Sequence, residues 1–140
     1  MGFLLVAAAA VVWIYRDQLR GGAVLTNWSE DLPAALAHAR AEDRRVLLLF
    51  LHAQPTEEER RLLIGNTIPK NEHHIDEGRY LRVKVLVPTD MDSPLVRQYE
   101  VKQIPTLVVL SSQGKEMART TTIGETDWGR FLLDPNSPAK

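Results

Sequence analysis

The residues best suited by type and spacing to do chemistry lie in the segment His52-Ala53-Gln54-Pro55-Thr56-Glu57-Glu58-Glu59, directly after an apolar run. It offers an imidazole able to serve as acid, base or ligand, a hydroxyl four residues later, and three carboxylates. A second cluster, Glu72-His73-His74-Ile75-Asp76, holds the densest set of nitrogen and oxygen donors. A missing residue type decides more than those present: the chain has no cysteine. Thiol–disulfide exchange needs a thiolate that attacks and forms a mixed disulfide, so that chemistry is excluded under any pKa tuning. Thiolate zinc sites and iron–sulfur clusters go with it.

Structural readings absorb most of what remains. Thr56 with Glu59 three positions on is a capping box, and the three carboxylates of the first turn complement the helix macrodipole. The Glu57-Glu58-Glu59-Arg60-Arg61 run then reads as a capped, solvated helix face, and His52 as a solvated strand end. Adjacent histidines on one loop do not readily close on a single ion, so neither a metal nor any other cofactor is expected. No segment matches a P-loop, a dinucleotide fingerprint or a Ser-His-Asp constellation, and no catalytic residue is assigned.

These residues need elements to position them. Leu32, Ala35, Leu36 and Ala39 recur at three- and four-residue steps, which predicts a helix over about 29–42 capped by Asn27 or Ser29. Val46-Leu47-Leu48-Leu49-Phe50-Leu51 is apolar on both alternations, as a central strand covered on both faces should be. A helix starts at Thr56, and residues 65–79, with Gly65, Pro69 and Gly78, read as a broken helix or loop. Tyr80 to Val87 reads as a second, parallel strand. Asp92-Ser93-Pro94 opens a short helix through about Tyr99. Thr106–Leu110 and Glu116–Ile123 read as antiparallel strands around a Ser111–Gly114 turn, and Trp128, Phe131 and Leu132 give a closing helix its apolar face.

The stretch Tyr99-Glu100-Val101-Lys102-Gln103-Ile104-Pro105-Thr106, followed by a hairpin and then Gly124 before the last helix, resembles the Tyr-x-Val-x-x-x-Pro-Thr signature of the thioredoxin-like family. The element order over about residues 27–134 is also that of the family. The resemblance implies an α/β fold with a central mixed sheet of about four strands flanked by helices, and a cis bond before Pro105. Against the family's strand, Trp-Cys-x-x-Cys, helix pattern, Phe50 matches the strand aromatic, while Pro55 and Glu58 stand where the two cysteines belong. Glu57 to Glu59 now occupy the helix start that elsewhere stabilises a thiolate, and would raise the pKa of any nearby thiol. The resemblance further implies that the backbone near Ile104 retains a capacity to pair with an extended peptide. Glutathione transferases share this core and use a hydroxyl at a helix start, which gives Thr56 and His52 an alternative role in a non-thiol or glutathione-binding protein.

Residues 3–15, Phe-Leu-Leu-Val-Ala-Ala-Ala-Ala-Val-Val-Trp-Ile-Tyr, form an uninterrupted apolar run that stops at Arg16. Trp13 and Tyr15 lie beside the arginine, as a membrane interface favours. Thirteen helical residues span only about 20 Å against a hydrocarbon core of about 30 Å, so the expectation is an N-terminal hydrophobic helix, a single membrane anchor lacking its first residues. A signal peptide is disfavoured because no Lys or Arg precedes the run and no small-x-small site follows before Arg16. The expected organisation is anchor and flank at 1–20, linker at 21–26, domain at 27–134 and a loose tail at 135–140. The side of the membrane is left open, since the arginines after the run and the family resemblance point in opposite directions.

Net charge is −1 over 140 residues, which provides no basic field for a phosphate backbone, and nucleic acid is not an expected partner. The sequence thus leads to a membrane-anchored, redox-inactive thioredoxin-like module that binds an unidentified protein or peptide. Its expected binding surface is His52, Gln54, Pro55 and Thr56 with Gln103, Ile104, Pro105 and Thr106.

Overall fold

A computed structural model describes residues 25–133 and 135 of the chain. The anchor expected at 1–20, most of the linker and the tail beyond 135 lie outside the described residues. Among the described residues, no helix is long and apolar enough to cross a membrane.

Four strands make one sheet: β1 (Val46–His52), β2 (Leu81–Val87), β3 (Thr106–Leu110) and β4 (Glu116–Thr120), in the spatial order β2-β1-β3-β4. β1 pairs parallel with β2, Val46 opposite Leu81 and His52 opposite Val87. β3 runs antiparallel to β1, and β4 antiparallel to β3. This is a thioredoxin-like α/β fold with a mixed sheet flanked by helices.

The double apolar alternation of β1 has a direct structural cause. Leu47, Leu49 and Leu51 enter one core with Trp28, Ile75, Tyr80, Trp128 and Leu132. Val46, Leu48 and Phe50 enter the other with Leu32, Ala39, Val96 and Val101. The six apolar side chains of β1, Val46 to Leu51, are fully buried, each worth about 1.5–3 kcal/mol in apolar area removed from water. Phe50 also meets Tyr99 edge-on, with ring centroids 6.2 Å apart. The strand that carries His52 at its end is therefore held on both faces.

Helix α1 (Leu32–Glu42) covers one face. Its cap is Asp31, not Asn27 or Ser29: the Asp31 carboxylate accepts the Ala34 N–H at 3.0 Å. Ser29 is drawn instead to the sheet edge, where its backbone bonds to both Arg82 and Lys84 of β2. A short side chain with an acceptor oxygen just before a helix is a cap by type; pairing with β2 removes Ser29 from that role.

From Glu57 a continuous helical path runs to Lys70, wound as a π-helix over Glu59–Thr67 and as α2 over Ile68–Lys70. The wider winding shows in the bond from the Ile68 N–H to the Leu63 carbonyl, five residues back. A Cβ on Gly65 would stand 2.9 Å from the Arg60 carbonyl oxygen, closer than side-chain carbons approach, so this path requires glycine there. After a break at Asn71, α3 (Glu72–Glu77) follows, matching a broken helix over 65–79. Ser93 caps α4 (Pro94–Gln98) through its hydroxyl. β4 ends at Thr120 rather than Ile123, because Ile123 turns into the core within a short 3₁₀ segment, Ile123–Glu125. α5 (Trp128–Leu133) closes the fold, with Trp128 and Leu132 buried.

Candidate functional site

Three chain segments meet beyond the C-terminal end of β1: the start of the long helix, the loop before β3 and the segment after β4. Together they line a cavity of about 650 Å³. His52 enters from β1, Thr56, Glu58 and Glu59 from the helix start, and Leu62, Leu63, Asn66 and Thr67 from the next turns of the π-wound stretch. Ile104 and Pro105 form the opposite wall, with a cis peptide bond between them, and residues 121–125 complete it.

Glu59 lies at the centre of the arrangement. Its N–H donates to the Thr56 hydroxyl at 3.1 Å, and its Oε1 accepts the Thr56 N–H at 3.0 Å, a reciprocal capping box. The same oxygen lies 2.5 Å from His52 Nδ1. Glu59 is only 7 % exposed, so the Glu57–Arg61 run is not a wholly solvated face: its third carboxylate turns inward while Glu57 and Glu58 stay exposed. His52 is likewise no free strand end, being half-buried and paired. Burial pushes the Glu59 carboxyl up, but the Thr56 N–H and the His52 ring favour the anion, and the net shift is downward from the usual 4.5. The carboxylate is thus ionised at neutral pH and can only accept, which assigns the shared proton to His52 Nδ1.

Oε2, the second carboxylate oxygen, is buried and has no hydrogen-bond partner among the described residues. Trp28 Nε1 and Arg82 Nε share that condition, but Glu59 alone of the three lines the cavity.

Of the eight side chains expected to bind peptide, His52, Thr56, Ile104 and Pro105 line the cavity. Gln54 and Gln103 are exposed and Pro55 half-buried, none of them lining it. Thr106 is buried at the first position of β3, where its hydroxyl donates to the Gln103 carbonyl at 2.6 Å and so fixes the loop. Of the two positions matching the family's cysteines, Glu58 lines the cavity and Pro55 does not. The sequence reading missed Glu59, Leu62 and Leu63, Asn66 and Thr67, and the 121–125 wall. The helical three- and four-residue spacing from Glu59 to Leu62 and Leu63 and on to Asn66 and Thr67 was the signal available.

The second cluster is structural. Glu72 and Asp76 both hold Arg82 Nη2, at 2.9 and 2.5 Å, and Ile75 is in the core. Among the described residues no three His, Asp or Glu side chains converge as a metal site would require.

No family model and no curated protein matches the sequence. Solved structures do resemble the fold. A thioredoxin from Thermus thermophilus superposes with a TM-score of 0.52 at 24% identity, covering 76% of this chain and 82% of that one. A thioredoxin from Halobacterium salinarum NRC-1 gives 0.52 at 17% identity over 76% and 83%. A disulphide isomerase from Xylella fastidiosa Temecula1 gives 0.51 at 23% over 72% and 73%. At these identities the likeness establishes the thioredoxin-like fold alone.

Proposed function

We propose that this chain is a membrane-anchored, redox-inactive thioredoxin-like module that binds a protein or extended peptide beside Pro105. The carrying observation is the cavity itself, walled by Leu62, Leu63, Ile104 and Ile123, at the place where thiol chemistry would need sulfur and the chain has none. Leu62, which lines the cavity, is 45% exposed, and a partner's side chain would cover it. The apolar run at 3–15 supports the anchor. The binding surface combines the expected 52–58 and 103–106 segments with 62–67 and 121–125.

Photo-crosslinking tests this reading. With p-benzoylphenylalanine at Leu62 and at Gln103 of the full chain in membranes, discrete crosslinked species are expected from both positions. Glu77, exposed on α3, serves as the control. Labelling from Leu62 and Gln103 no richer than from Glu77 would refute it.

The His52–Glu59 pair favours one second reading, a non-thiol enzyme or glutathione-binding protein. A carboxylate on Nδ1 leaves Nε2 as the nitrogen available to a substrate, the arrangement of an oriented base. Glu58 and Glu125, both lining the cavity, oppose an anionic ligand. Glutathione at 100 times its dissociation constant would stabilise the fold by about 2.7 kcal/mol, so a flat thermal-shift titration disposes of the glutathione form.

A further inference from the structure

Resting on the peptide-binding reading above, we propose that the cavity is a subsite for a single lysine or arginine side chain of the partner, whose cationic head meets Glu59. Three independent features converge on this class of ligand. The first is the unmatched oxygen. Glu59 is 7 % exposed and its Oε1 already serves Thr56 N–H and His52 Nδ1, whereas Oε2 has no partner among the described residues. A buried carboxylate oxygen gains most from a donor that brings positive charge with it.

The second is the electrostatics of the lining. Glu58, Glu59 and Glu125 contribute three carboxylates, and among the described residues no Lys or Arg lines the cavity. His52 Nδ1 and the Thr56 N–H both lie on Glu59 Oε1, so neither serves Oε2. An anionic group entering here meets like charge, and a neutral one leaves that charge uncompensated.

The third is shape and polarity. Leu62, Leu63, Ile104 and Ile123 make apolar walls beside the carboxylate, which suits a methylene stem ending in an ammonium or guanidinium. Leucine or norleucine would fill the walls and leave Oε2 unmatched. Ile104 and Pro105 belong both to the cavity and to the loop before β3, so a segment lying against that loop can place one side chain in the cavity.

Fluorescence anisotropy on the full chain in detergent tests the subsite. The probes are fluorescein-labelled, terminally blocked octapeptide pools, with flanks randomised over Ala, Leu, Ser and Thr and a fixed central Lys, Arg, norleucine or Glu. The Lys and Arg pools should bind about tenfold tighter than the norleucine pool, as one charge-assisted hydrogen bond allows. Glu59→Gln should erase that preference, bringing the Lys and Arg pools to the affinity of the norleucine pool, since Gln at this position still closes a capping box. Glu125→Gln, at an exposed position, should weaken the Lys and Arg pools more than the norleucine pool, and an unaltered Lys preference would count against the subsite. Equal binding of norleucine and Lys pools, tighter binding of the Glu pool, or a Lys preference that survives Glu59→Gln would overturn the subsite and leave the peptide surface standing. Failure of every pool to bind at millimolar concentration would overturn both.

Discussion

Tyr80 and Glu59 are both polar, both buried and both near an end of the central sheet, yet the fold treats them in opposite ways. Tyr80, just before β2, is 1 % exposed; its ring lies in the core and its hydroxyl donates to the Leu132 carbonyl of α5. Burial pushes its phenol upward, which keeps it neutral and a donor. Every hydrogen-bonding requirement there is met from within the chain. At Glu59 one oxygen is used twice and the other not at all, and the residue borders an open cavity. A buried polar group closed off by its own chain holds a fold together; one left half-satisfied beside a cavity retains capacity for a further hydrogen bond.

The largest effect should come from Tyr80. Tyr80→Ala removes a buried ring from the core and should cost about 3–5 kcal/mol, read as a fall in the urea midpoint. Tyr80→Phe keeps the ring but strands the Leu132 carbonyl, for a loss of about 1–3 kcal/mol. Neither change alters the cavity lining. A Tyr80→Phe variant as stable as the parent would break the contrast, because the Tyr80 hydroxyl would then be as idle as Glu59 Oε2.

What could be read in the sequence divides along the same line. β1 was visible because six consecutive apolar residues have one economical explanation, burial on both faces. The capping box was visible because Thr56 and Glu59 are three residues apart and their bonds are local. The meeting of His52 with Glu59 was not visible: it depends on the angle at which the helix leaves β1, and a charged run scores as solvent-facing until that angle is known. Asp31 displaced Ser29 as a cap for a similar reason, since pairing of Ser29 with β2 is a long-range event. The 121–125 wall depended on where β4 stops, and Ile123 leaves the strand because the core claims its side chain.

Gly65→Ala probes how the cavity wall is wound. In an ordinary α-helix this exchange stabilises by roughly 0.5–1 kcal/mol. Here the new Cβ would stand 2.9 Å from the Arg60 carbonyl oxygen, so destabilisation by about 1 kcal/mol is expected instead, on the scale of overpacking. A gain in melting temperature would show that Glu59–Thr67 runs as a regular helix in solution, and would move Leu62, Asn66 and Thr67 relative to the cavity.

Thr56→Ala should cost about 1 kcal/mol, the usual value of a lost N-cap, and should also release the Glu59 N–H. The effect tests whether the cap and the binding carboxylate are one device. If they are, the loss of stability is accompanied by a weaker preference for cationic peptides, because the Thr56 hydroxyl holds the Glu59 backbone N–H and with it the turn from which the carboxylate reaches the residue-56 N–H. A variant that loses stability but retains the full preference would assign that fixing to His52 and the residue-56 backbone N–H, which alanine keeps.

The smallest effect is also the most specific to Glu59. Its carboxyl is lowered from 4.5 in the folded state, burial pushing up but Thr56 and His52 pulling down harder. A group whose folded pKa is depressed contributes stability that is fully present above its unfolded pKa and is lost as pH falls through the folded one. Folding stability of the parent should therefore decline as pH drops below about 4.5, by less than the 1.4 kcal/mol per pH unit that one proton allows. Glu42 is lowered as well, chiefly through its bond with His38, so the parent curve alone is ambiguous. The difference between parent and Glu59→Gln removes Glu42 from the comparison. That difference should shrink as pH falls below about 4.5. A difference that instead grew on acidification would mean the folded carboxyl is raised, with burial outweighing His52 and Thr56, and the buried carboxyl would then reach neutral pH with less of the charge a lysine or arginine needs.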